Sequence, residues 1–185
     1  MIGLDPSLGT GGDNSAIQVY QMPGMKQVAE WMHNRTTVQG QIKILREIAQ
    51  FIESETNGDC EIYYSMENNT LGEAALVVIA DIGEENFNGL FLSEPMRKGH
   101  VRRYRKGFNT THKTKITACS GFKNLLEKNK MKIHSKPLIS ELKTFVAHGV
   151  GYGAKTGEHD DLVSACLLII RMASQLADWD PKIYE

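Results

Sequence analysis

The chain has 185 residues, 41% of them hydrophobic, and a formal net charge of −1 at neutral pH; that length fits one domain with a substantial core, since domains usually run to roughly 100–200 residues. Cys60, Cys119 and Cys166 are odd in number, widely spaced and without a C-x-x-C pair, which argues against a disulfide framework or a zinc site and for a reducing cytosol. No apolar run approaches the ~20 uncharged residues of a membrane span, and no basic segment followed by an apolar signal stretch opens the chain.

The small net charge hides an uneven distribution. Of the 21 basic residues, 13 fall between Arg97 and Lys136, against the single acid Glu127. Such a polarised surface points to a polyanion partner. The densest part, Arg97, Lys98, Arg102, Arg103, Arg105, Lys106, Lys113 and Lys115, is the candidate nucleic-acid contact; the competing reading is a solvated loop, the usual fate of charge runs.

Ile2 to Asp5 reads as a short apolar strand that ends in an acid. Pro6, Gly9, Gly11 and Gly12 then turn the chain, and Ala16 to Tyr20 returns antiparallel. Lys26 to His33 completes a three-stranded meander. From Val38, the residues Ile42, Leu45, Ile48, Ala49 and Ile52 recur at helical spacing up to the Asn57-Gly58 break. Cys60 to Met66 alternates as a fourth strand closed by Glu67, and Thr70-Leu71-Gly72-Glu73 fits a capping box for a short helix through Ala80. Asn86 to Ser93 is expected to be a fifth strand, and Glu94 to Asn109 an exposed basic loop.

Thr110 or Thr111 caps a helix whose Ile116, Cys119, Phe122, Leu125 and Leu126 face inward. Met131 to His134 reads as a short strand and Pro137 to Phe145 as a small helix. Gly149, Gly151, Gly153 and Gly157 make a flexible stretch, read as a hinge, that leads into His159-Asp160-Asp161. From Leu162 to Leu176 the pattern is apolar on nearly every face. A helix of that kind must be buried against the sheet, with two acids in its first turn.

Asp5 closes the first strand, Glu67 the fourth, and Asp160-Asp161 open the buried helix. If strands one and four are neighbours, these carboxylates share one edge of the sheet. Clustered carboxylates repel one another, which is tolerated chiefly when a divalent cation neutralises them. An oxygen-only ligand set selects magnesium, with manganese as the alternative. Two such ions about 4 Å apart can activate a water and stabilise the leaving oxygen of a phosphodiester.

Three segments, Gly3-Leu4-Asp5-Pro6-Ser7 with Asp13 following, Tyr63-Tyr64-Ser65-Met66-Glu67-Asn68-Asn69, and Gly157-Glu158-His159-Asp160-Asp161-Leu162-Val163, together resemble the nuclease domain of the large terminase subunit, the DNA-packaging motor of tailed bacteriophages, most similarly the T-even type. The resemblance extends through Lys113-Thr114-Lys115, Leu125 to Lys130 and Glu141-Leu142-Lys143-Thr144-Phe145. It implies an α/β RNase H-like (retroviral integrase) fold, with a mixed central sheet flanked by helices. It also implies a metal-dependent endonuclease that cuts concatemeric viral double-stranded DNA with little sequence specificity. Carried over by position, Asp5, Glu67 and Asp161 match the catalytic metal-binding triad, with Asp5 bridging two magnesium ions and Asp160 and Asp13 as auxiliary acids. The resemblance further implies a single domain over residues 1–185, the C-terminal part of a longer subunit. Its ATPase lies elsewhere, since no G-x-x-x-x-G-K-[ST] loop is present. Portal and small terminase subunit would be partners through the full-length protein, in the host cell cytoplasm.

Other readings stay open at this level. A Holliday-junction resolvase or ribonuclease H shares the fold and acid placement. Gly3 to Thr10 faintly resembles the first phosphate motif of actin-like ATPases and sugar kinases. In a non-catalytic DNA-binding or motor-docking module, Asp5 and Asp13 would be turn formers, Asp160 a helix cap and His159 a surface residue.

Overall fold

In the computed structural model, described for residues 1–94 and 106–177, the chain opens with three antiparallel strands, β1 (Ile2–Asp5), β2 (Ser15–Gln21) and β3 (Lys26–His33). Helix α1 (Val38–Glu55) follows, with the Thr37 hydroxyl accepting from the Gly40 amide as its N-cap. β4 (Tyr63–Met66) then enters parallel to β1, in the register Ile2 with Tyr64, Gly3 with Ser65 and Leu4 with Met66. After α2 (Thr70–Ile82), the short β5 (Leu90–Phe91) joins parallel to β4. The five-stranded sheet is thus mixed, in the order β3-β2-β1-β4-β5.

Strand alternation decides which residues meet which helix. Ile2, Leu4, Ile17, Val19, Tyr64 and Met66 point to one face and pack with α1 and α2. Gly3, Asp5, Ser65 and Glu67 belong to the opposite face. There α3 (His112–Glu127), α4 (Lys136–Thr144) and α5 (Asp161–Ala177) build the second half of the core with Ala16 and Tyr20. Eleven residues of α5 are buried, from Leu162 to Leu176, each large aliphatic side chain contributing about 1.5–3 kcal/mol on removal from water. A Cβ at Gly3 would lie 2.8 Å from the Ala165 carbonyl oxygen. The absence of a side chain there is what lets α5 lie directly on β1.

The mixed α/β sheet with an antiparallel opening meander and flanking helices is what the resemblance implies. Several local expectations change. The fourth strand starts at Tyr63 rather than Cys60, and the fifth shrinks to two residues at the sheet edge. α2 is capped by the Asn69 side chain, which accepts from the Leu71 and Gly72 amides, rather than by a capping box from Thr70. Met131 to His134 contributes only an isolated bridge between Lys26 and Lys132. The glycine-rich stretch is a hairpin instead of a loose hinge: β6 (Phe145–His148) pairs antiparallel with β7 (Gly151–Ala154), and Phe145 stacks on Tyr152 at 6.4 Å between ring centroids. Alternate glycines on β7 remove the side-chain periodicity that would have announced a strand. All three cysteines are free, and among the described residues no helix is long and apolar enough to cross a membrane.

Candidate active site

Register and alternation bring the acids together. β1 and β4 run parallel with Leu4 opposite Met66, so the next residues, Asp5 and Glu67, leave neighbouring strands at the same end and on the same face. The Glu67 amide still donates to the Leu4 carbonyl at 3.3 Å, which keeps the two acids on the continuing sheet. α5, seated on that face, begins with Asp161.

Burial pushes the Asp5 carboxyl well above the usual carboxylate range; Glu67, Asp161 and Asp160 push it the same way, and Lys115 opposes them. Among the described residues nothing donates a hydrogen bond to that carboxyl; the Ser15 hydroxyl bonds the Asp5 backbone carbonyl instead, at 3.2 Å. Asp161 has partners. Its Oδ2 accepts from the Asn14 amide at 3.1 Å and from Asn14 Nδ2 at 2.9 Å, with His159 Nδ1 at 3.7 Å. Asp160 Oδ2 lies 3.4 Å from Lys115 Nζ. Asp13 is exposed on its turn and is not among the charges acting on Asp5; its neighbour Asn14 is the residue that reaches the site. Among the described residues no three His, Cys, Asp or Glu side chains are drawn around a common point. The acids share an edge, with Asp161 and Asp160 turned toward Asn14 and Lys115.

Glu141 is a further acid that the motif reading quoted without assigning a role. Its Oε2 accepts from the Val163 amide at 3.0 Å. Burial pushes its carboxyl up to about 7; the amides of Val163 and Leu162 pull it down, and Asp161 and Asp160 push it up. Neither Asn14 nor Glu141 is recognisable from spacing, because each contact joins residues distant in the chain.

The described part of the basic segment passes beside Glu67 at Phe108. Phe108 bridges to Glu67, the Asn68 amide donates to the Phe108 carbonyl at 2.8 Å, and Asn68 Nδ2 donates to the Lys106 carbonyl at 2.7 Å. The Glu94 amide donates to the Gly107 carbonyl at 3.1 Å. From α5, Arg171 stacks 4.8 Å from the Phe108 ring centroid, donates to the Asn109 carbonyl at 3.0 Å and pairs with Glu94. Of the candidate contact residues, Arg97, Lys98, Arg102, Arg103 and Arg105 lie outside the described residues. Lys106 pairs with Glu84, Lys113 is exposed on the first turn of α3, and Lys115 faces Asp160.

A family model described as the terminase RNase H-like domain matches residues 2–173. The chain belongs to that family. Among solved structures, this terminase RNase H-like domain is similar to the large terminase nuclease from thermophilic phage G20c with bound magnesium, at TM-score 0.64 and 18% identity over 92% of this chain and 79% of that one. The same nuclease with bound cobalt matches at TM-score 0.63 and 18% identity, over 92% of this chain and 79% of that one. A further structure of that nuclease matches at 0.63 and 19%, over 90% of this chain and 78% of the other. The family match runs through the elements that carry Asp5, Glu67 and Asp161.

Proposed function

We propose that this terminase domain is the nuclease of a phage DNA-packaging motor, a metal-dependent endonuclease that hydrolyses double-stranded viral DNA with little sequence preference. The observation that carries the reading is the Asp5 carboxyl, half-buried, without a hydrogen-bond donor among the described residues, and pressed by three other carboxylates at one sheet edge. An arrangement so costly to a bare apoprotein suits a divalent cation. The donor set is all oxygen, which fits magnesium or manganese. The G20c nuclease structures with bound magnesium and bound cobalt support the same reading.

Asp5, Glu67 and Asp161 would hold the metal, with Asp160 as an auxiliary acid and Asp13 at most an outlying one. When bound, such ions supply Lewis acidity toward the scissile phosphate and the attacking water. The chain's own contribution is positional. Asp5 and Glu67 are fixed by paired strands, Asp161 is oriented by Asn14, and Lys115, beside Asp160, offers a cation to an incoming phosphate. The basic segment, Arg97 to Lys115, would track the DNA backbone. In this reading residues 1–185 form one nuclease unit of a longer T-even-type subunit, which meets the portal and small terminase subunit and acts in the host cytoplasm.

The test is cleavage of supercoiled plasmid and linear duplex by the purified protein with magnesium or manganese. Nicking followed by linearisation, abolished by chelation, is expected. Intact plasmid across a wide protein range, or cutting confined to four-way junctions or RNA–DNA hybrids, overturns the reading.

A further inference from the structure

The first turn of α5 has amides that no intrahelical carbonyl can satisfy. Asp160 is the residue in place to supply an acceptor: its backbone carbonyl accepts from the Ser164 amide at 2.7 Å, the first bond of the helix. An aspartate at that position ordinarily folds its side chain back onto the amides two or three residues ahead. Here it does not. The Val163 amide donates to Glu141 Oε2 at 3.0 Å, and the neighbouring Leu162 amide favours the same charged carboxyl. Asp160 Oδ2 lies instead against Lys115 Nζ, at 3.4 Å. The cap of α5 thus comes from α4, from a residue 22 positions upstream of Val163.

We propose that Glu141 is a positioning residue: it caps α5 in place of Asp160 and so frees the Asp160 carboxylate for the acidic edge that holds the metal. The inference rests on the metal-dependent nuclease reading for what the freed carboxylate does. Which residue caps the helix is independent of it. The chemistry is a competition for one carboxylate. When Glu141 is shortened, the first-turn amides of α5 become the strongest nearby donors, and Asp160 is the carboxylate that can reach them. Side chains that orient ligands typically change metal affinity by about 10–100-fold when removed, and an effect of that size is expected.

Two measurements on the whole chain test it. Metal-free thermal melts come first: Glu141→Gln, whose side-chain oxygen still accepts, melts near the wild type, Glu141→Ala melts lower, and Asp160→Ala melts no lower than the wild type. A drop for Asp160→Ala shows that Asp160 is the cap and overturns the proposal, whether or not Glu141→Ala folds. Manganese titration by calorimetry or electron paramagnetic resonance follows. Glu141→Ala and Asp160→Ala each weaken binding about tenfold, Glu141→Gln retains it, and Glu141→Ala/Asp160→Ala is no weaker than either single variant. Losses that add in the double variant, or unchanged affinity in Glu141→Ala, overturn the proposal. A wild type that binds no manganese or magnesium sinks the nuclease reading and, with it, the role given to the freed carboxylate, while the melts still decide which residue caps α5.

Discussion

Asp5 is where the molecule departs furthest from what an isolated fold would choose. It is a half-buried acid with no donor among the described residues and three like-charged neighbours, so removing its charge relieves the metal-free protein. Asp5→Asn is expected to raise the metal-free melting temperature, by about 2–4 °C per kcal/mol of relieved repulsion in a chain of this size. Cleavage falls by ~100-fold or more, since several kcal/mol of transition-state stabilisation pass through the metal ligands. A calorimetric scan beside a plasmid assay checks both, and a variant that is destabilised and still cuts contradicts the assignment.

The same groups set the pH dependence. Folding raises Asp5 above its ordinary 3.8 and Glu141 from 4.5 to about 7, so within that window the native chain binds more protons than the unfolded one. Their contribution to stability is complete below the unfolded values and is lost as pH rises through the folded ones. Metal-free protein should therefore melt lower near pH 8 than near pH 5. Magnesium should recover the difference, because the ion takes over the neutralising role of the proton, and Glu141→Gln should flatten the slope. A metal-free melting temperature that climbs over this range contradicts it.

At the scale of elements, Glu67 is placed by a contact between α2 and the end of β4. A Cβ on Gly72 would lie 1.8 Å from the Glu67 carbonyl oxygen, a clash with backbone rather than with a movable side chain. Gly72→Ala should push Glu67 out of line, costing about 1–3 kcal/mol of stability, as overpacking does. It should cost cleavage more than that loss explains, with metal affinity reduced at temperatures where the variant is fully folded. Wild-type affinity in a folded Gly72→Ala protein would rule out this route. These elements also show what was readable beforehand. Asp5 and Glu67 stood at strand ends that could be located by period-two alternation, and Asp160-Asp161 at the start of a helix too apolar to lie on the surface. Local pattern reached that far. The Asn14 amide on Asp161 and the Glu141 cap of Val163 join residues 147 and 22 positions apart, and such contacts exist only once the sheet order is known. The β6–β7 hairpin escaped for the opposite reason: its pairing is local, but Gly151 and Gly153 carry no side chains to alternate.

Over the whole molecule, acids and bases are separated by function. The acidic edge is built on paired strands and a buried helix, whereas the described residues on either side of the basic run, Glu94, Phe108 and Asn109, are held by Arg171. On the proposed reading, the acidic edge holds metal and the basic run holds phosphate, so the two should respond differently to salt. Affinity for a duplex should fall steeply as salt rises, with a slope of about 0.9 per phosphate neutralised, while the single-turnover cleavage rate of DNA already bound changes little. Individual lysines then sort by what already compensates them. Lys113 is exposed, with no ion pair among the described residues, and Lys113→Ala should reduce the slope by about 1. Lys106 is already paired with Glu84, so Lys106→Ala should reduce it by less. Fluorescence anisotropy of a labelled duplex across a salt series, beside single-turnover cleavage at saturating protein, separates the two. A cleavage rate that falls in step with affinity would mean that the basic residues act in the chemistry itself rather than in holding the backbone beside it.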